Sequence, residues 1–421
     1  MEISGGYNLV RFLHLHDSEN TTLVARVPLR SEDEVITEDT WKQIESEVAT
    51  MDYVERYTNI PVPHVYHYNF RTEEDVHSPY ILMSKVEGVP LCSVWDDMDD
   101  DKRRIILQQV IDILLELWSH RFDKDGVLFK RAGGGEGKDA WYVEPSSVIE
   151  GPGDTNFEST ISHSNAVDYW LARTNAQLHD ICDMNFGSAG KHFIHSFMWF
   201  MRSLIPSLFD PSIDSHGFPI CPGDFHSQNI TITDVDTYPH IAGVIDWEVS
   251  GPTFATTFAQ YPLFIVDHPA WDESHPLRER NVRDQATFDE LIREAERIRD
   301  PVPGLQLSHL ISNGYGIYLF KQMIRSPVMF SALYPLLFAH IFGENENFSD
   351  QYYYALMEKG ILKKDNERFD KEKQVWLEAR KVLGEDLVDW NLRLGEFKDL
   401  VSKYLDRFDG GIVCEWMASV N

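Results

Sequence analysis

The chain has 421 residues, with 38 basic against 68 acidic side chains and a formal charge of −30. That balance disfavours nucleic acid and anionic membrane as partners, because both need basic patches. No run of ~18 apolar residues offers a transmembrane helix, and the scattered cysteines Cys92, Cys182, Cys221 and Cys414 suit reduced thiols in a cytoplasmic protein.

Residues 1–30 read as three strands: Met1-Glu2-Ile3, Leu9 to Leu15 and Thr22 to Val27. The first turn carries Gly5 and Gly6, whose backbone N–H groups could approach phosphate oxygens closely. Arg26 lies on the third strand, while His14 and His16 have no spaced partner and read as surface or turn residues. Residues 38–57 form a helix ended by Asn59-Ile60-Pro61, and Glu47 on it is a candidate partner for Arg26. Val65 to Tyr68 and Tyr80 to Val86 are strands, and Glu87-Gly88-Val89-Pro90 breaks the chain after them. Residues 98–118 have helical periodicity, with Ile105, Ile106, Val110, Ile113, Leu114 and Leu117 inward. The segment Gly133 to Asp139 resembles a phosphate-binding loop but fails it. Ala132 stands where the first glycine is required, Asp139 stands where Ser or Thr should hold Mg²⁺, and no strand is expected to lead in.

Residues 164–183 and 191–208 are expected as helices, the second with core aromatics Phe193, Phe197, Trp199 and Phe200. After Gly251-Pro252, helices are expected over 253–265, 278–299, 304–325, 327–342, 348–359, 364–383 and 385–407. The expected class is α+β in three parts: residues 1–87, 88–250 and 251–421.

Residues 221–248 hold the densest chemistry. Asn229 follows Asp224 by five positions, and Asp246 follows a hairpin made of Ile230-Thr231-Ile232-Thr233 and Ile241-Ala242-Gly243-Val244-Ile245. A hairpin returns its ends to one place, so Asn229 and Asp246 should meet at its open end, beside Asp224. One carboxylate can orient the proton of an attacking hydroxyl. An amide oxygen and a second carboxylate are hard ligands for Mg²⁺.

With these residues in view, the chain resembles the aminoglycoside phosphotransferase and choline kinase family, from about Ser4 to Pro262, and is most similar to fungal members of unassigned substrate. Asp224 and Asn229 match the family's catalytic loop, and Ile245-Asp246-Trp247 matches its metal-binding element. The resemblance implies a protein-kinase-like fold, with a small antiparallel β-rich lobe and a larger, mainly helical one. It implies ATP and Mg²⁺ as cofactors and transfer of the γ-phosphate to a hydroxyl of a small molecule. Asp224 would be catalytic, and Asn229 and Asp246 would hold the metal. Gly5 and Gly6 would cover the phosphates. Arg26, oriented by Glu47, would take the place of the strand-three lysine. Ala25 and the hinge residues Met83, Ser84 and Val86 would hold adenine. Asp267, Asp272 and Glu273 suit a cationic acceptor. Two residues depart from the pattern: Pro222 replaces the loop's first histidine, and Arg26 replaces lysine. A nucleotide-binding pseudokinase is therefore the alternative. A protein kinase ranks last, because no Ala-Pro-Glu element follows Asp246.

Overall fold

The computed structural model describes residues 2–4, 8–15, 21–29, 38–69, 78–145 except 134 and 136, 162–183, 191–325 except 269, 270, 272 and 273, 330–343, 358–360, 363, 365–371 and 374. In chain order the strands and helices are β1 (Glu2–Ser4), β2 (Asn8–His14), β3 (Thr22–Pro28), α1 (Glu38–Tyr57), β4 (Val65–Asn69), β5 (Tyr80–Ser84) and β6 (Val89–Pro90). Then come α2 (Asp100–Ser119), β7 (Arg121–Phe122), β8 (Val127–Lys130), β9 (Trp141–Glu144), α3 (Ala166–Asp183), α4 (Lys191–Leu208) and β10 (Phe218–Cys221). The series ends with β11 (Ile230–Thr233), β12 (His240–Val244), β13 (Gly251–Pro252), α5 (Ala255–Phe258), α6 (Arg278–Arg299), α7 (Leu307–Ser312), α8 (Tyr315–Arg325) and α9 (Phe330–Phe342). The class is α+β.

The alternating residues of the first strands build a five-stranded antiparallel sheet in the order β1-β2-β3-β5-β4. Its register decides where Arg26 points. Arg26 pairs with Ile81 across β3 and β5, and directly opposed residues share a face. Ile81 packs on Ile44 and Val48 of α1, so α1 covers that face. Glu47 lies one helical turn from Ile44 and beside Val48, on the same stripe. Hydrophobic packing of α1 thus carries Glu47 onto Arg26.

Helix α2 starts at Asp99, whose side chain caps the Lys102 N–H at 2.8 Å. Ile106, Leu107, Val110, Ile111, Leu115, Leu117 and Trp118 on it are all buried. They share a core with Ile230, Ile232, Ile241 and Val244 of the β11–β12 hairpin and with Phe288 and Ile292 of α6. Gln109 of α2 ties down that hairpin: its Nε2 donates to Pro239 O at 2.9 Å and its Oε1 accepts from Ile241 N–H at 2.8 Å.

Several expectations are corrected. A strand, β8, does lead into the glycine segment 133–139, and it pairs antiparallel with β9, which follows a 3-10 turn at Lys138–Ala140. Residues 253–265 hold only the short α5 and a 3-10 turn, Leu263–Ile265. Pro262 separates the two and cannot donate a helical hydrogen bond. Residues 304–325 form two helices, broken at Asn313 and Gly314. The helices expected over 348–359, 364–383 and 385–407 fall largely outside the described residues. The two-residue strands β6, β7 and β13 are too short to carry an alternating pattern.

Packing divides the chain into two units. One comprises residues 1–150, 158–166 and 211–318; the other comprises 151–157, 167–210 and 319–421. The described candidate site residues lie in the first. The second has an aromatic core of its own: Trp170 packs on Phe209 and Phe320, and Phe200 on Tyr334 and Phe338. Phe197 and Phe200 are buried there, as core aromatics should be. Among the described residues no helix is long and apolar enough to cross a membrane.

Candidate active site

The hairpin delivers the convergence its pattern implies. Ile230 pairs with Val244, and the Ile245 N–H donates to Asn229 O at 2.8 Å, so Asn229 and Asp246 emerge side by side. After β12 the backbone turns sharply. Asp246 has φ 62° and Val249 φ 54°, a left-handed conformation that is costly for a β-branched residue and recurs at functional sites. Trp247, between them, is buried and donates its indole N–H to Val244 O at 3.0 Å. That anchor leaves Asp246 and Glu248, on either side of it, partly open to solvent.

The Asp224 loop packs against this turn. Gly223 N–H donates to Ser250 Oγ at 2.9 Å. A Cβ at Gly223 would lie 2.5 Å from Val249 O, so only glycine allows this approach. Asp224 itself is exposed. Its Oδ2 accepts from Asn229 Nδ2 at 3.0 Å and meets His226 Nε2 at 3.1 Å. The Gln228 N–H donates to His226 Nδ1 at 3.1 Å, which assigns the imidazole hydrogen to Nε2 and makes His226 the donor to Asp224. Both donors engage Oδ2 rather than Oδ1. With its NH₂ turned to Asp224, Asn229 presents its amide oxygen as a hard ligand.

Arg26 faces this loop from the sheet. Its Nη1 donates to Glu47 Oε1, and its Nη2 donates to Asp246 Oδ1 at 2.9 Å and to Glu248 Oε2 at 2.6 Å. Asn8 of β2 adds a hydrogen bond from Nδ2 to Glu248 Oε2 at 3.3 Å. Three carboxylates therefore share one guanidinium. Burial pulls the Arg26 pKa down, but Glu47, Asp246 and Glu248 outweigh it and hold Arg26 above the ordinary guanidinium range. Burial lifts the Glu47 carboxyl to about 7; Arg26 opposes that rise, and Asp246 and Glu248 add to it.

The remaining sequence candidates are placed as follows. Gly5, Gly6 and His16 lie outside the described residues, as do Asp272 and Glu273. Ala25 pairs with Leu82, and the half-buried Met83 pairs with Val24. Ser84 is committed to His64: its N–H donates to His64 O and its Oγ accepts from His64 N–H, each at 2.8 Å. Val86 rests on Gly243, where a Cβ would come within 2.7 Å of its side chain. Asp267 pairs with Arg278 at 3.4 Å, so much of its charge is already answered. Pro222 is buried.

Reasoning from sequence missed Glu248, His226 and Asn8. Glu248 and His226 carried a signal, since each lies two residues from a motif aspartate. Asn8 had none, because its partner is 240 residues away. Among the described residues no group of three His, Cys, Asp or Glu side chains forms a metal cage. The oxygen donors Asn229 and Asp246 do fit Mg²⁺, which commonly takes one or two protein ligands and completes its shell with water and phosphate.

No protein-family model matches the chain. It is 32% identical over 127 residues to a subtelomeric hrmA-associated cluster protein of Aspergillus fumigatus, covering 30% of this chain and 24% of that one. It is also 32% identical over 114 residues to altered inheritance of mitochondria protein 9, mitochondrial, of Meyerozyma guilliermondii, covering 27% of this chain and 18% of that one. The chain thus spans about a quarter or less of these relatives. The expectation of a cytoplasmic protein is overturned here, because several relatives are mitochondrial by name. Scattered cysteines do not distinguish the two compartments. Among solved structures, the chain resembles a putative aminoglycoside phosphotransferase of Ralstonia eutropha (TM-score 0.45, 16% identity, 80% of this chain and 88% of that one). An ADP-bound aminoglycoside phosphotransferase gives a TM-score of 0.43 at 13% identity, over 79% of this chain and 93% of that one.

Proposed function

We propose that this chain is an ATP-dependent phosphotransferase that moves the γ-phosphate to a hydroxyl of a small molecule. The observation that carries the reading is one unbroken run of contacts. Asp224 bonds Asn229, Asn229 bonds the backbone next to Asp246, Asp246 bonds Arg26, and Arg26 bonds Glu47. A base, two metal ligands and a phosphate-seeking cation are thereby joined in one site, which is what phosphoryl transfer needs from a protein.

In this reading Asp224 Oδ1 accepts the hydrogen of the acceptor hydroxyl, while His226 and Asn229 hold the carboxylate through Oδ2. Asn229 Oδ1 and Asp246 would hold Mg²⁺, which when bound offsets phosphate charge. Glu47 keeps Nη1 of Arg26 fixed, leaving Nη2 as the end that turns to phosphate. Adenine would rest between Ala25 and the segment 83–86, where the Ser84 N–H is already spent on His64.

The test is transfer from γ-labelled ATP to a panel of amino alcohols, aminoglycosides and simple sugars. Asp224→Ala should lower turnover by about 10²- to 10⁴-fold while nucleotide binding persists. Turnover unchanged by Asp224→Ala would refute the assignment. A nucleotide-binding protein without turnover is the second reading. It is favoured by the engagement of Arg26 Nη2 by two carboxylates, and it predicts Mg²⁺-dependent binding with no transfer to any acceptor.

A further inference from the structure

Glu248 has no part in the transfer reaction as derived above, yet it is built into the site. It makes the shorter of the two contacts to Arg26 Nη2, 2.6 Å against 2.9 Å for Asp246. Asn8, from the neighbouring strand β2, steadies the same carboxylate oxygen. In the phosphotransfer reading Nη2 is the end that turns to phosphate, because Nη1 is committed to Glu47, and Glu248 holds that end here. We propose that Glu248, held by Asn8, is a stand-in for phosphate: it occupies Arg26 until a nucleotide arrives and makes the site prefer metal-complexed nucleotide over free nucleotide. This inference rests on the phosphotransfer reading.

The charge count drives the preference. Asp246 and Glu248 alone outnumber the one guanidinium they share, so the site has excess negative charge. A free nucleotide brings more negative charge to the same point and must also displace Glu248 from Arg26. Like charges a few ångströms apart cost several kcal/mol at the effective dielectric of a partly buried site. Asn229 and Asp246 would hold a divalent cation whose charge would offset the excess, and Glu248 would then be the main competitor for Nη2.

The same geometry gives the arginine a reason. A lysine ammonium is a point charge on one nitrogen, whereas a guanidinium offers two outer nitrogens in a fixed fork. Arg26 keeps one nitrogen on Glu47 and lets the other change partner. A lysine would have to serve Glu47 and the exchanging partner with one group. Arg26 and Glu248 are therefore a matched pair.

The experiment is calorimetric titration of the full chain with the non-hydrolysable analogue AMP-PNP, once with Mg²⁺ and once in EDTA. The wild type should bind at least about thirtyfold more tightly with Mg²⁺. Glu248→Gln keeps the shape of the side chain and removes its charge. It should raise the affinity in EDTA by about tenfold, equivalent to ~1.4 kcal/mol, and narrow the Mg²⁺ preference accordingly. Asn8→Ala should shift the ratio in the same direction by about half as much on the free-energy scale. An unchanged ratio in a folded Glu248→Gln protein would overturn the inference and leave the phosphotransfer reading intact. Loss of affinity only in Mg²⁺ would also overturn it, making Glu248 a metal ligand. No binding of AMP-PNP by the wild type in either condition would instead bring down the phosphotransfer reading itself.

Discussion

The loop that carries Asp224 and the strand that carries Arg26 solve opposite problems. Asp224 is solvent-exposed and held by neighbours within five residues of it, Asn229 and His226. Arg26 is buried and held by partners 21, 220 and 222 residues away. The first arrangement is local and leaves oxygen atoms open for chemistry. The second depends on the assembled fold and leaves the cation fully occupied. In the proposed reading, one half of the site is ready in the chain alone, while the other must exchange partners before it can act.

Removing charge should separate the halves most clearly. Arg26→Ala leaves three carboxylates without their cation, one of them fully buried, and breaking such a set costs about 3–5 kcal/mol. Asp224→Ala removes an exposed side chain and should change stability by less than ~0.5 kcal/mol. Chemical denaturation of the two variants measures the gap; equal losses would erase the distinction.

Acidity should sharpen it next. The Glu47 carboxyl is raised from 4.5 to about 7 in the folded chain, so ionising it costs the folded state. The stability it contributes is full below about pH 4.5 and is lost as pH rises to about 7. Glu47→Gln cannot ionise. Thermal unfolding at pH 4.5 and pH 7.5 should show the wild type losing more stability than Glu47→Gln on the alkaline side. Parallel curves would mean that Glu47 is already ionised at low pH.

A smaller effect is expected on the loop side. Gly223→Ala forces a Cβ against Val249 O and should cost about 1–3 kcal/mol. It should lower turnover more than nucleotide affinity, because it displaces Asp224 and spares Arg26. Equal loss of both would show that the loop and the strand move together.

The same contrast explains how much could be read beforehand. Asp224, Asn229 and Asp246 were legible because a hairpin fixes their meeting point within one short stretch. The Arg26–Glu47 pair was expected from a basic strand residue and a helix acid that match the family pattern, and in the structure the packing of Ile44, Val48 and Ile81 brings the two faces together. Glu248 and Asn8 were missed: Glu248 stands beside a motif aspartate, but nothing local tells that it will lie on a distant arginine, and Asn8 meets it across 240 residues. The 253–265 segment was misread as a helix because its apolar residues outweighed the interruption by Pro262. The strand before Gly133 was missed because Val127 to Lys130 is short and pairs only with Trp141 to Glu144.

The most direct test of the account is metal binding at the hairpin's open end. Mn²⁺, used as a paramagnetic substitute for Mg²⁺, can be titrated by electron paramagnetic resonance with and without ADP in the wild type and in Asp246→Asn. The account predicts tight Mn²⁺ binding that requires ADP and falls by about tenfold or more in Asp246→Asn, as expected when a metal ligand loses its charge. Mn²⁺ binding indifferent to ADP, or unchanged by Asp246→Asn, would contradict it.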